Sequence, residues 1–305
     1  MMILSDLALG TWQLAFDHGF WADQALEDSK ATLRYALSHS INHIDTASSY
    51  GRGRSEQIIG SLWSTYYKRE NLHIDTKFMP KAPHLVEKDL QKSLSRLKTE
   101  YVDTLYLHWP SSQTPVLPIL DAAAHLIDKK LVKHLGVCNF DVSSLKLLGD
   151  LPLSSIQVPC SLLWTRNLAS VVDFAETNAI QIVGYSPLGL GLLTGKYGTK
   201  PSDRRADLYV YSSEAFPSFN RLLDLLSSYA QEMGCSMAQV ALLWARSQGF
   251  DTILVGARNP SQLEQSLETD TLELDIEQIQ ALSKTAQELC SHAPKEWDNL
   301  FGHRW

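Results

Sequence analysis

The stretch that decides the fold lies at residues 72–108 and reads LHIDTKFMPKAPHLVEKDLQKSLSRLKTEYVDTLYLH. It begins and ends with short apolar runs, Leu72–Thr76 and Val102–His108, which are typical of strands buried on both faces. Between these runs, four apolar residues recur at the spacing of one helical stripe: Val86, Leu90, Leu94 and Leu97. The stretch therefore predicts one strand–helix–strand unit of a parallel sheet.

The same alternation extends along the whole chain. Six further strand-like runs are found at Leu7–Gly10, His43–Asp45, His134–Asn139, Ile156–Val158, Ile182–Tyr185 and Thr252–Val255. Strands that alternate with helices in this number predict an α/β fold, a single (β/α)8 TIM barrel domain over residues 1–305, rather than an open sheet. No G-x-G-x-x-G fingerprint follows any of the runs, which argues against a Rossmann domain.

Two segments outside this alternation are predicted to lie near the active-site face. Ser186–Asn220 is a long irregular loop that follows strand seven, and loops after barrel strands lie on the catalytic face. The C-terminal tail carries Trp297, Phe301 and Trp305. These aromatic residues fit a lid over an apolar substrate, and they fit packing against the barrel wall equally well.

The composition excludes several classes of protein. With 44% hydrophobic and 20% charged residues the chain is an ordinary globular protein, and its net charge of −7 without a Lys/Arg run predicts neither nucleic acid nor a membrane as partner. No stretch approaches ~20 apolar residues, and the first basic residue is Lys30, so we expect neither a transmembrane helix nor a secretory signal. The four cysteines form no C-x-x-C pair, which indicates reduced thiols. We therefore expect a cytoplasmic protein without a metal site.

Four chemically active side chains are predicted to meet at the strand ends. Asp45 ends strand two, Lys77 follows strand three, His108 follows strand four, and Tyr50 lies five residues beyond Asp45. In a barrel, the carboxyl ends of the strands converge on one pocket. A phenol with a pKa of about 10 is a poor acid at neutral pH, but a neighbouring ammonium lowers that pKa. Tyr50 is therefore the predicted proton donor, and carbonyl reduction is a reaction that fits this group.

Several motifs in register resemble the aldo-keto reductase family. IDTASSYG at 44–51, followed by RSE at 54–56, resembles the family signature, and Thr76-Lys77 and YLHWP at 106–110 resemble its second and third catalytic elements. GVCNF at 136–140, YSPLG at 185–189 and VGARN at 255–259 resemble its cofactor-binding segments. The resemblance spans Gly10 to about Ser266.

The resemblance implies a TIM-barrel oxidoreductase that binds NADP(H) and acts on a small-molecule carbonyl or alcohol. By this analogy Tyr50 is the general acid, Lys77 lowers its pKa, Asp45 holds Lys77, and His108 orients the carbonyl. The substrate is expected to contact Trp12, Tyr50, His108 and Trp109. Only six residues precede Leu7, so the hairpin that usually plugs the barrel floor is expected to be missing.

The cofactor site implied by the resemblance is larger. Asn139 and Gln157 would bind the carboxamide, Tyr185 would stack on the nicotinamide, and Arg258 would bind the 2′-phosphate beside a helix start. In this start Asn259 is the predicted cap and Gln262 its capping-box partner. The predicted cofactor residues are Gly10, Thr11, Trp12, Asp45, Asn139, Gln157, Tyr185, Ser186, Leu188, Gly189, Gly191, Leu192, Gly256, Arg258, Gln262, Gln265 and Ser266. Two departures bear on cofactor affinity, since the family usually has Ser where this chain has Cys138, and Glu-Asn where it has Gln265-Ser266.

Two alternatives remain open at this point. Some barrels that resemble the family are cofactor-binding regulatory subunits of ion channels. Alternatively, Lys77 could form a Schiff base, as in an aldolase on the same fold. The sequence gives neither the identity of the substrate nor the oligomeric state.

Overall fold

The structure is a computed structural model that describes residues 6–16, 20–21, 23–111, 113–197 and 199–295. The predicted tail residues Trp297, Phe301 and Trp305 lie outside the described residues, as do residues 1–5.

Eight parallel strands form a closed barrel in chain order, which confirms the predicted (β/α)8 fold. The ring closes because β1 pairs with both β2 and β8. The strands are β1 Leu7–Gly10, β2 His43–Asp45, β3 His73–Phe78, β4 Val102–Leu107, β5 Val132–Cys138, β6 Leu153–Pro159, β7 Gln181–Tyr185 and β8 Thr252–Gly256.

The helices surround the strands, and the main hydrophobic core lies between the two layers. They are α1 Leu26–Ser38, α2 Arg54–Gly60, α3 Val86–Leu97, α4 Val116–Asp128, α5 Val142–Lys146, α6 Leu168–Thr177, α7 Phe216–Met233, α8 Met237–Arg246, α9 Pro260–Leu267 and α10 Ile276–Cys290. None of the described helices is long and apolar enough to cross a membrane.

Several predicted boundaries were wrong, including those of β3 and of the loop after β7. Lys77 does not follow β3 but lies within it, paired with Tyr106 of β4. Its side chain is fully buried, because alternate strand residues point into the barrel. The predicted loop Ser186–Asn220 contains short 3₁₀ turns and ends before Phe216, where α7 begins with a proline in its first turn, a position that proline favours.

The floor of the barrel holds a buried group of ionisable side chains. Nε2 of His43 and Nε2 of His73 lie 2.7 and 2.8 Å from the two carboxylate oxygens of Asp75. His43 and Asp75 lie two residues before Asp45 and Lys77 on the same strands. The same alternation that directs Asp45 and Lys77 inward therefore places this His–Asp–His group at the opposite end of the barrel.

Candidate active site

A cavity of about 860 Å³ lies at the carboxyl ends of the strands. That is within the range of small-molecule and cofactor sites. Most of the predicted site residues line it: Gly10, Thr11, Trp12, Asp45, Tyr50, His108, Trp109, Asn139, Gln157, Tyr185, Ser186, Leu188, Gly191, Gly256, Arg258, Gln262, Gln265 and Ser266. Lys77, Gly189 and Leu192 are not among the described lining residues.

A short chain of hydrogen bonds runs from the barrel interior to the cavity. Nζ of Lys77 donates to Oδ1 of Asp45 at 2.5 Å, to the carbonyl oxygen of Thr46 at 2.9 Å, and to the hydroxyl of Tyr50 at 3.4 Å. Asp45 also accepts a hydrogen bond from the amide of Gln157 at 2.9 Å. Lys77 therefore contacts Tyr50 from the barrel interior, and Tyr50 lines the cavity.

Burial and charge act on the phenol in opposite directions. Burial raises the pKa of Tyr50 to about 12, although the ammonium of Lys77 lowers it. Lys77 acts on this pKa in the predicted direction, but removal from water costs the phenolate more than the ammonium returns, so the pKa of Tyr50 stays above its ordinary value. Burial likewise opposes the charge of Lys77, but Asp45 and Tyr50 outweigh it and raise the pKa of Lys77. At neutral pH the phenol of Tyr50 is protonated and lies beside the Lys77–Asp45 pair.

The imidazole of His108 completes the group as a neutral ring. Burial, assisted by the charge of Lys77, holds the pKa of His108 well below its usual value. Its Nδ1 lies 3.3 Å from Oγ of Ser49, and its ring packs edge-on against Tyr50 at 5.7 Å. Trp12 stacks on Tyr50 at 6.1 Å, and Trp109 stacks on His108 at 5.8 Å. The phenol and the imidazole therefore share an aromatic wall.

The side-chain amides of Asn139 and Gln157 line the cavity and are held in fixed orientations by hydrogen bonds. Nδ2 of Asn139 donates to the carbonyl oxygen of His108 at 3.0 Å, and its Oδ1 accepts from the hydroxyl of Tyr185 at 2.6 Å. The amide of Gln157 is held by Asp45, so its oxygen is the end left for a ligand. Cys138 is buried between these residues, and burial raises the pKa of its thiol well above the usual value.

The turn after β7 has three consecutive residues with positive φ, namely Gly189, Leu190 and Gly191. Left-handed backbone of this kind can direct N–H groups toward an anion. Gly189 cannot be replaced freely, since a Cβ there would lie 2.4 Å from Leu163. Leu192 is fully buried and packs in the core, so its side chain anchors the turn rather than lining the cavity.

Arg258 lies before α9 at the far end of the cavity. Asn259 caps α9 by accepting from the N–H of Gln262 at 3.0 Å, as predicted. The predicted capping box is wrong, because the Gln262 side chain accepts from the N–H of Arg258 instead of that of Asn259. The guanidinium of Arg258 donates to Gln24 at 2.8 Å and to Asp23 at 3.0 Å.

The sequence analysis missed a set of lining residues on two loops. These are the aromatic and basic residues Phe20, Trp21, Lys196, Tyr197, Arg204 and Arg205. Arg205 is buried and donates to the carbonyl oxygens of Leu190 and Phe20, at 2.9 and 3.0 Å. Its guanidinium also packs over the rings of Phe20, Trp21 and Tyr197. A rule based on strand ends could not find these side chains, although the predicted loop Ser186–Asn220 contains four of them. The aromatic density of residues 12–21 is the signal for the other two.

One group of potential metal ligands occurs in the described part of the chain, and it lies away from the cavity. His43, His73 and Asp75 place their ligand atoms within 4.8 Å of one another. The contacts of 2.7 and 2.8 Å between ring nitrogens and carboxylate oxygens are ordinary hydrogen-bond distances. We therefore interpret this group as one that shares protons.

Comparison with known families decides the assignment. Residues 6–287 match the Aldo/keto reductase family. This chain belongs to the aldo-keto reductase family. The resemblance predicted from its motifs is thereby confirmed, and the chain stands among oxidoreductases.

Individual relatives agree over most of the chain. Aldo-keto reductase YhdN of Bacillus subtilis is 31% identical over 277 residues, which is 85% of this chain and 83% of the relative. A probable voltage-gated potassium channel subunit beta of Arabidopsis thaliana is 28% identical over 87% of each chain. Among solved structures, the glycerol dehydrogenase AKR11B4 of Gluconobacter oxydans has a TM-score of 0.81 and 28% identity, covering 96% of this chain and 93% of its own.

Proposed function

We propose that the protein is an NADP(H)-dependent oxidoreductase that reduces an aldehyde or ketone, or oxidises the corresponding alcohol, with Tyr50 as general acid and base. The observation that carries this proposal is the hydrogen-bond chain from Asp45 through Lys77 to Tyr50, with distances of 2.5 and 3.4 Å. The chain ends at the cavity beside the neutral ring of His108.

The cavity has features that fit a dinucleotide. Asn139 and Gln157 present oriented amides at one end, and Arg258 offers a cation beside the start of α9 at the other. Between them lies the turn at Gly189–Thr194, with Lys196 and Arg204 on the cavity wall. Backbone N–H groups and cations are suited to a diphosphate. When bound, the reduced nicotinamide supplies a hydride to the carbonyl carbon.

The side chains of this protein would manage the proton and the charge. The hydroxyl of Tyr50 donates its proton to the substrate oxygen as that oxygen gains negative charge. Lys77 stabilises the phenolate that remains, and Asp45 fixes the ammonium against the barrel wall. His108, being neutral, can donate a hydrogen bond to the same oxygen without adding a charge. In the oxidation direction, the phenolate takes the proton of the alcohol.

The pocket wall points to a substrate with an apolar or ring-shaped face. Trp12, Trp109, Phe20 and Trp21 all line the cavity, and Trp12 contacts Phe20 and Trp21 edge-on at 5.5 and 5.8 Å. Such rings offer a large contact area with few internal rotations to freeze. We therefore propose a small carbonyl compound that packs against tryptophan.

A second candidate function is a cofactor-binding regulatory subunit, favoured by the similarity to the Arabidopsis protein named as a probable channel subunit. Such a subunit would bind the nicotinamide cofactor in the same cavity. It would differ from the first candidate in slow or absent turnover.

The aldolase alternative is disfavoured by the state of Lys77. A lysine nucleophile must be uncharged and must reach its substrate. Lys77 is fully buried behind Tyr50, and its pKa is raised by Asp45 and Tyr50 against the effect of burial.

The experiment is a panel of aldehydes, ketones and sugars assayed by the absorbance of NADPH and of NADH. We expect turnover with at least one class of carbonyl compound. Tight cofactor binding without turnover across the panel would support the regulatory subunit instead. Substrate trapped on Lys77 by borohydride would support the aldolase.

A further inference from the structure

The guanidinium of Arg258 is already occupied along one edge. Its Nε donates to Oε1 of Gln24 at 2.8 Å, and its Nη2 donates to Oδ1 of Asp23 at 3.0 Å. Gln24 is buried and returns a hydrogen bond from its Nε2 to the carbonyl oxygen of Arg258 at 2.9 Å. It also donates to Ser29 at 3.2 Å, which fixes it to α1.

Asp23 differs from Gln24 because it stands in solvent. Its side chain is 81% exposed, and its ion pair with Arg258 is its one described charged contact within 4 Å. A backbone hydrogen bond and the charge of Arg258 lower the pKa of its carboxyl, so the group is ionised at neutral pH. The Arg258 side chain is itself 26% exposed and lines the cavity. A negative charge therefore stands directly beside the cation proposed to bind the cofactor.

This arrangement affects the two forms of the cofactor differently. The Nε–Nη2 edge is one that arginine uses to bind a phosphate through two parallel hydrogen bonds. A 2′-phosphate that binds this edge must displace Asp23 from it. Breaking the ion pair between Asp23 and Arg258 weakens NADPH binding. NADH carries a hydroxyl at that position, and a carboxylate can accept a hydrogen bond from a ribose hydroxyl.

We propose that Asp23 is a specificity-determining residue that acts through Arg258. It lowers the affinity for NADPH and leaves the affinity for NADH unchanged or higher. It therefore reduces the preference of the protein for NADPH over NADH. Gln24 is the positioning residue that keeps Arg258 in place for either cofactor. This inference rests on the proposed function, in which Arg258 receives the 2′-phosphate.

The test uses Asp23→Asn, which keeps the size of the side chain and removes its charge. Dissociation constants for NADPH and NADH are measured by quenching of tryptophan fluorescence on the full chain. The matched control is Glu27→Gln, which removes the same charge nearby from a carboxylate that pairs with Lys30 at 2.9 Å. Arg258→Ala and the double variant with Asp23→Asn complete the cycle.

We expect Asp23→Asn to tighten NADPH binding by about 3- to 10-fold, the size of a surface charge effect on a doubly charged group, and not to tighten NADH binding. In the Arg258→Ala background the substitution should change neither constant more than about twofold. Glu27→Gln should leave both constants unchanged.

Three outcomes would overturn the inference while leaving the proposed function in place. They are an unchanged NADPH constant in Asp23→Asn, an equal tightening for both cofactors, and the same gain in Asp23→Asn without Arg258. If the wild-type protein binds neither NADPH nor NADH, the proposed function fails as well.

Discussion

At the level of single residues, Lys77 makes three contacts, and one of them affects the pKa of Tyr50. Its ammonium is held by Asp45 and the carbonyl oxygen of Thr46, and it touches the phenol of Tyr50. Burial alone would make Tyr50 a far weaker acid, and the ammonium limits this rise to a pKa of about 12. Tyr50 thus stays protonated through neutral pH, as the proposed proton donor must, and in this proposal Lys77 stabilises the anion left after donation.

We expect Lys77→Met to abolish carbonyl reduction. It should also raise the pH at which alcohol oxidation begins, because the pKa of Tyr50 rises further once the ammonium is gone. The measurement is a pH–rate profile in both directions. Lys81→Met is the matched control, since Lys81 is exposed and pairs with Asp89 at 2.9 Å. An active Lys77→Met variant with the wild-type profile would show that Lys77 does not act on Tyr50.

At the level of elements, three segments of two loops meet at Arg205. Its hydrogen bonds and ring contacts join the segment after β1, the turn after β7 and the loop that carries Arg205 itself. All three line the cavity. A planar cation can stack on rings and donate several hydrogen bonds at once, a combination that lysine lacks.

Arg205→Lys should therefore accelerate the release of NADPH by about tenfold, as expected for the loss of about 1.4 kcal/mol of loop contacts. The reason is geometric, since the charge is kept and the contacts with the carbonyl oxygens of Leu190 and Phe20 are lost. Stopped-flow fluorescence with excess unlabelled competitor measures the rate. Release at the wild-type rate in both Arg205→Lys and Arg205→Ala would show that the loops do not retain the cofactor.

The strands were predictable where their residues are apolar, and less so where polar side chains point into the barrel. The apolar run ended before Lys77, although β3 continues to Phe78. β5 and β6 begin earlier than predicted, at Val132 and Leu153. Polar residues near the start of each strand interrupt the apolar run from which the strand was predicted. The hydrophobic pattern of a strand identifies the face that packs in an apolar core. Where the side chains inside the barrel are polar, this pattern is lost.

At the scale of the whole molecule, the barrel has ionisable groups at both ends of its interior. On the floor, Asp75 forms a hydrogen bond with His43, and Nε2 of His73 lies 2.8 Å from its other carboxylate oxygen. Burial opposes the charge of His73, but Asp75 outweighs it and raises the pKa of His73. Burial also opposes the charge of Asp75, yet the two histidines hold the pKa of Asp75 well below its usual value.

The directions of the pKa shifts of His73 and Asp75 determine how the stability of the folded protein changes with pH. The raised pKa of His73 gives stability that is fully present below about pH 6.5 and is lost as the pH rises through the folded-state value. The lowered pKa of Asp75 gives stability that is present above about pH 3.9 and is lost only well below it. The group formed by His43, His73 and Asp75 therefore stabilises the folded state most between about pH 4 and 6.5.

Asp75→Asn should accordingly cost about 3–5 kcal/mol of unfolding free energy at pH 6, as for removal of one partner of a buried ion pair. The cost should be smaller at pH 9 than at pH 6, because the imidazole of His73 loses charge as the pH rises. Thermal unfolding of wild type and variant at each pH measures the difference, which cancels the contributions of other groups such as His134. A cost that is constant or larger at pH 9 would contradict the ionised pair.

The candidate site was predictable where its residues stand at strand ends. Asp45 and His108 follow from the rule that the carboxyl ends of barrel strands converge, whereas Tyr185 was predicted from the resemblance to the family. Arg205, Asp23 and Gln24 could not be predicted, because their contacts join segments far apart in the chain without any periodic signal. The pKa of Tyr50 was also beyond the sequence, since it depends on how fully the phenol is removed from water.

The substitution Tyr50→Phe removes only the hydroxyl that we propose supplies the proton in hydride transfer. We measure kcat for carbonyl reduction and, in the same preparation, the Kd for NADPH, with Tyr66→Phe as the control for a half-exposed tyrosine. If Tyr50 supplies the proton, kcat falls by about 10²- to 10⁴-fold while the Kd stays within about twofold, because only the hydroxyl is lost. Wild-type turnover in Tyr50→Phe would contradict this role.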